Sequence, residues 1–184
     1  MDDTDKYAAL AKLRPGMPQE ALGRIAGADS LPQRGAEKGY YWCSVDEDGA
    51  FGPKISFMAR ITSDGRIGEL GYYGSFPAGV EIDGLAIGMP RDEALRHWPN
   101  AQLSEEHSSE EYGHEGYCTS VGPDTHAVTV FEDEKILSIS FELIGAAYPG
   151  ELPPEAAKAR KNMRAFDMGI QHRCVDPSNN QGWV

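Results

Sequence analysis

The chain has 184 residues, 40% of them hydrophobic and 25% charged, with 29 Asp and Glu against 17 Lys and Arg for a formal net charge of −12. That length and composition suit one globular domain or two small units sharing a core, and the longest apolar runs are too short to cross a bilayer. The acidity is uneven: residues 1–150 carry 12 Lys/Arg against 25 Asp/Glu, and residues 151–184 carry five against four. Such a body repels nucleic acid, and a charged partner for it is expected to be a basic protein, although acidity also simply favours solubility.

The N-terminal run "MDDTDKYAALAKL" is acidic where a secretory signal is basic and lacks an apolar segment, so a cytoplasmic location is expected. Three cysteines at wide spacing, Cys43, Cys118 and Cys174, fit a reducing compartment better than a disulfide framework.

In chain order, "DKYAALAKL" predicts a short helix that breaks at Arg14-Pro15-Gly16. A second helix is predicted from Pro18, carrying Glu20 in its first turn and stopping at Gly27, with Leu22 and Ile25 on its buried stripe. After a polar loop, "YYWCSV" reads as a strand. "KISFMARIT", "SDGR" and "IGELGYYG" read as a hairpin, because Asp64-Gly65 suits a tight turn. The order then recurs. Gly88-Met89-Pro90 repeats Gly16-Met17-Pro18, the helix "RDEALRHW" follows, and "SEEHSSEEYGHEG" reads as a long acidic loop. "YCTSV" echoes "YWCSV", and "THAVTVF", "EDEK" and "ILSISFEL" form a second hairpin. Aligning the hairpins matches Ala59 with Val128, Ile61 with Val130, Leu70 with Ile139 and Tyr72 with Phe141 as the expected sheet core. A linker from Pro149 to Pro154 leads to "EAAKARKNMRAF", a predicted helix with four basic residues, and a loose tail.

Through "LRPGMPQEALGRIAGA" and "LAIGMPRDEALRHWPNA", each followed by a hairpin, residues 4–145 resemble the repeat of the beta-lactamase inhibitor protein and related small outer-membrane assembly lipoproteins. The resemblance implies an α+β fold: two tandem helix-hairpin plus antiparallel-sheet repeats, residues 1–78 and 79–146, with a C-terminal helix and tail at 147–184. It also implies binding without catalysis. The inhibitor is secreted and has a disulfide in each repeat, whereas each half here holds one cysteine, Cys43 or Cys118. The expected function is therefore an immunity protein that occludes a bacterial toxin or effector enzyme. A cell-envelope scaffold is the alternative, and a small-ligand-binding protein or enzyme a more distant one.

Side chains alternate along a strand, so the expected core assigns the opposite face. Tyr40, Trp42, Met58, Arg60, Thr62, Glu69 and Tyr73 should point outward in the first half, and Thr129, Phe131, Ser138, Ser140 and Glu142 in the second. A sheet displaying Tyr, Trp, Met and Arg has the composition of a protein interface. The expected partner contacts are Tyr40, Trp42, Met58, Arg60, Glu69, Tyr73, Phe131 and Glu142, joined by Glu110, Glu111 and Tyr112 of the acidic loop. The competing reading is that loops or the C-terminal helix cover these aromatics. His107, Glu111, His114 and Cys118 have ligand chemistry, but their spacing matches no metal site, and no nucleophile or phosphate-binding motif is present. No cofactor, catalytic residue, nucleic acid or membrane is expected, and the oligomeric state is left open.

Overall fold

The computed structural model describes residues 3–26, 40–46 and 54–149. Seven strands form one antiparallel sheet: β1 (Tyr40–Asp46), β2 (Lys54–Ile61), β3 (Ile67–Tyr72), β4 (Gln102–Ser109), β5 (His114–Gly122), β6 (Thr125–Glu132) and β7 (Lys135–Leu143), in the spatial order β1-β2-β3-β7-β6-β5-β4. Among the described residues three short helices accompany it: α1 (Asp3–Leu10), α2 (Gln19–Ala26) and α3 (Arg91–His97).

This architecture overturns the expected α+β repeats. The protein is largely β, and its sheet runs without interruption through the β3–β7 ladder, where Leu70 pairs with Phe141 and Tyr72 with Ile139. The helices are seven or eight residues long. The second half also lacks a helix hairpin. Where the first half has α1, the second has a tight turn bridged between Ile82 and Leu85, with Asp83 at φ 53° and Gly84 at φ 81°. Two successive left-handed residues cannot continue a helix. The predicted C-terminal helix lies outside the described residues.

The repeated Gly-Met-Pro phrase has a definite structural role. Gly16 N donates to Ile67 O at 2.7 Å, Ile67 N to Met17 O at 2.7 Å, and Gln19 N to Gly65 O at 2.9 Å. In the second half Gly88 N donates to Ile136 O at 2.9 Å, Ile136 N to Met89 O at 2.9 Å, and Arg91 N to Glu134 O at 2.8 Å. Each phrase thus latches a helix entry onto the returning strand of the hairpin that follows it, with bridges Pro18–Arg66 and Pro90–Lys135. Both glycines are left-handed, at φ 90° and 84°, which lets the chain turn from the latch into its surroundings without a Cβ penalty.

The core lies between the helices and one face of the sheet. Phe57, Ala59, Leu70, Tyr72, Ala127, Phe131, Ile139 and Phe141 meet Leu10, Leu13, Leu22, Phe76, Ala94 and Trp98 there. Tyr72 stands at its centre, edge-on to Phe76 at 5.1 Å and Phe141 at 6.3 Å. Its hydroxyl donates to Leu10 O at 2.8 Å, and burial pushes its pKa well up.

The expected core holds for β2, β3 and β7 but is displaced by one residue in β6. Ala127, Thr129 and Phe131 face inward, and Val128 and Val130 are only partly buried. The cause is turn length. The first hairpin pairs Ile61 with Ile67, whereas the second pairs Phe131 with Ile136 around the two-residue loop Asp133-Glu134. One residue fewer in the second turn reverses every facing in the strand before it. Thr129, expected outward, is 1% exposed, and its Oγ1 has no hydrogen-bond partner among the described residues. Thr62, also expected outward, is 3% exposed; its hydroxyl bonds Asp64 and accepts from Arg66 N at 2.9 Å within the first turn.

Candidate protein-binding surface

The segment expected to be an acidic loop is a hairpin. β4 forms one edge of the sheet and pairs with β5 at Gln102–Cys118, Leu103–Tyr117, Ser104–Gly116 and Ser109–His114. Between Ser104 and Ser109 the ladder is interrupted, and side chains bridge the gap. The Ser108 hydroxyl donates to Ser104 O at 2.7 Å and accepts from Gly116 N at 3.0 Å, and Ser104 Oγ lies 2.8 Å from His107 Nδ1. The bulged backbone passes so close to Gly116 that a Cβ there would lie 2.7 Å from His107 O. An interrupted, charged edge resists pairing with stray strands, which explains how so polar a sequence remains a strand without inviting aggregation.

Along this hairpin Glu105, Glu106, Glu110 and Glu111 are exposed. Tyr112, at its tip, is 65% exposed and lies 5.9 Å from the His114 ring. His114 in turn pairs with Glu132 at 2.8 Å. The hairpin thus carries exposed acids along its length and an accessible aromatic ring at its tip.

Arg91 fixes the hairpin to the body. From the first turn of α3 its Nε and Nη2 donate to Glu115 Oε1 at 2.9 and 2.6 Å, and Nη2 also donates to the Tyr117 hydroxyl at 2.6 Å. Tyr117 packs edge-on against Phe131 at 5.8 Å, so the cluster is continuous with the core. Hydrogen bonds from Tyr117 and then from Arg91 hold the Glu115 carboxyl below its usual pKa, and the hydrogen bond to Glu115 chiefly raises that of Tyr117. The sequence reading missed Arg91. A cation in the first turn of a helix opposes the helix dipole, and that misplacement is the signal that it serves a specific partner.

The outer sheet face differs from expectation. Met58 is 5% exposed and therefore not an accessible anchor, and Phe131, 2% exposed, lies on the opposite face in the core. After β7 the chain folds back: Ser63 N donates to Ala147 O at 2.9 Å, and Tyr148 lies over Arg60 with the guanidinium carbon 3.8 Å from the ring centroid. A Cβ at Gly68 would lie 2.6 Å from the Tyr148 hydroxyl, and one at Gly71 equally close to that of Tyr73. These aromatics therefore cover the outer face of β2 and β3, with Met58 and Arg60 beneath, because glycines leave room for the rings. Arg60 pairs across the ladder with Glu69, and Glu69 with Glu142. Tyr40 and Trp42 stand opposite Arg60 and Met58 in register; their side chains lie outside the described residues.

The residues with ligand chemistry do not converge. His107 and His114 turn to Ser104 and Glu132, and among the described residues no group of three His, Cys, Asp or Glu is placed to hold a metal. None of the described helices is long and apolar enough to cross a membrane.

The surface therefore belongs to a seven-stranded antiparallel sheet with an acidic, side-chain-braced edge. The chain belongs to the family described as "Domain of unknown function (DUF7256)", whose model matches residues 5–150. No curated protein matches it. Among solved structures, an extracellular protein containing a SCP domain from Bacillus anthracis str. Ames is similar with a TM-score of 0.49 and 11% identity, covering 92% of this chain. This chain spans 60% of that protein's length.

Proposed function

We propose that this protein binds a basic protein and occludes it, as an immunity protein does for a toxin or effector enzyme, with the β4–β5 hairpin as the contact surface. It acts in the cytoplasm and by binding alone, without a cofactor. The observation that carries this reading is the hairpin itself: it displays four exposed glutamates and an exposed tyrosine on an element braced by Arg91. A braced surface loses little conformational entropy on docking, and a tyrosine supplies apolar area with few torsions to fix. Like charges gathered on one edge attract a basic surface over roughly a Debye length and raise the encounter rate.

The contact set shifts accordingly from the one expected. Glu110, Glu111 and Tyr112 remain, joined by Glu105 and Glu106, whereas Met58 and Phe131 leave it. Capture from the native host, using wild type beside a Glu110→Lys/Glu111→Lys/Tyr112→Ala variant of equal far-UV circular dichroism, tests the proposal. A basic protein held by the wild type and lost by the variant supports it. Equal retention by both moves the contact elsewhere.

A further inference from the structure

The outer face of β5, β6 and β7 is lined by small side chains, and His107 of the β4 bulge lies over Gly116 at one end of it. Cys118, Val128 and Ser140 pair across one row of the ladder, Gly116, Val130 and Ser138 across the next, and except for the buried Gly116 all are half-buried. Their neighbour Glu142 is exposed, has no ion pair among the described residues, and stands directly opposite Glu69 on β3. Like charges facing across a ladder destabilise it unless a cation joins them. Arg60 lies on the far side of Glu69. The three described helices pack against the other face, with the inner core.

We propose that residues 155–166 of this chain dock across this patch. Three observations point to that occupant. The chain already reaches the outer face at Tyr148, seated on Arg60, immediately before the remaining segment begins. The six residues Pro149 to Pro154 include three prolines, and at about 3.1 Å each they extend roughly 19 Å. Strands lie about 4.8 Å apart, so that reach crosses the sheet from β2 to β5. Finally, the segment "EAAKARKNMRAF" matches the patch: a helical spacing would put Ala159, Met163 and Phe166 on one side, and Lys158, Arg160, Lys161 and Arg164 offer cations to the exposed Glu142 of a body with a net negative charge. Such docking leaves the β4–β5 hairpin as the accessible acidic surface.

Cys118 reports on the patch directly, because a covered thiol reacts only when the cover opens. The full-length protein is treated with N-ethylmaleimide, and modification of Cys118 is followed by peptide mass spectrometry. Wild type is compared with a Lys158→Glu/Arg160→Glu/Lys161→Glu/Arg164→Glu variant and with Met163→Asp/Phe166→Asp, each shown by circular dichroism to keep its sheet. The expected result is Cys118 modification accelerated roughly ten-fold in both variants, the loss of about 1.4 kcal/mol of docking. Equal rates in all three proteins overturn the proposal. Protection that resists both variants but falls on dilution also overturns it, since the cover is then a second copy of the chain.

Discussion

The two latch glycines give the sharpest test of the fold. Gly16 and Gly88 have φ of 90° and 84°, and a Cβ at either would meet nothing within 4 Å. Replacement by alanine therefore carries no steric clash with neighbours, only the cost of holding an L-residue in the left-handed region. That cost is about 1–2 kcal/mol. It is partly offset by about 0.4–1 kcal/mol from the less flexible unfolded chain. Each variant should then lose roughly 0.5–1.5 kcal/mol, and because the latches bond different strands, the double variant should lose the sum. Gly79 is the control: it too has open space around a Cβ, but its φ is not positive, so Gly79→Ala should be neutral or slightly stabilising. Urea unfolding at constant m-value measures the four variants against wild type. If Gly16→Ala or Gly88→Ala is as stable as Gly79→Ala, the left-handed latch is wrong. If the two losses differ greatly, the phrases do not make the same contact.

The inward facing of β6 predicts that Phe131→Ala costs about 3–5 kcal/mol in the same assay, as for a core aromatic; an outward Phe131 would cost little. Asp133 and Glu134 hold φ of 51° and 61°, so Asp133→Asn/Glu134→Gly should stabilise the protein by about 1 kcal/mol in thermal unfolding, and a lowered Tm contradicts that. The folded-state pKa of Glu115 lies below its ordinary 4.5, so its contribution is present above that value and is lost as pH falls through the folded pKa. Glu115→Gln should therefore be less stable than wild type at neutral pH, with the gap closing as pH falls below the unfolded value. A gap independent of pH would mean that the carboxylate charge is not what Arg91 and Tyr117 recognise.

Much of the element order was legible because local chemistry dictates it. Pro18 and Pro90 mark helix entries, Asp64-Gly65 marks a turn, and the alternation in β3 and β7 assigns their faces without ambiguity. β6 was misread because Ala-Val-Thr-Val-Phe offers apolar side chains to both faces, Ala127 and Phe131 to one and Val128 and Val130 to the other, so only the turn sets its register, and a one-residue difference in turn length is invisible to a simple alignment. The strand over 117–121 was legible, but β4 and the start of β5 were hidden by their polarity: an edge strand on the water side needs no apolar alternation, and its pairing is imposed by β5. Met58 was misplaced because Tyr73 lies back over Gly71, the residue opposite Met58 in the ladder. Such tertiary cover leaves no local signature. The α+β expectation failed for a related reason: two matching helix entries do not reveal how few turns follow them, or that both halves share a single sheet.

Recruitment of a basic protein by the braced acidic hairpin is a proposal about electrostatics and can be tested as such. Its most direct test is the association rate with the captured partner, measured against ionic strength for wild type and for Glu110→Lys/Glu111→Lys/Tyr112→Ala. The wild-type rate should fall steeply as salt rises, and the variant should show a slower rate at low salt and a flatter profile. A wild-type rate indifferent to salt, or one that the variant reproduces, would contradict the proposal.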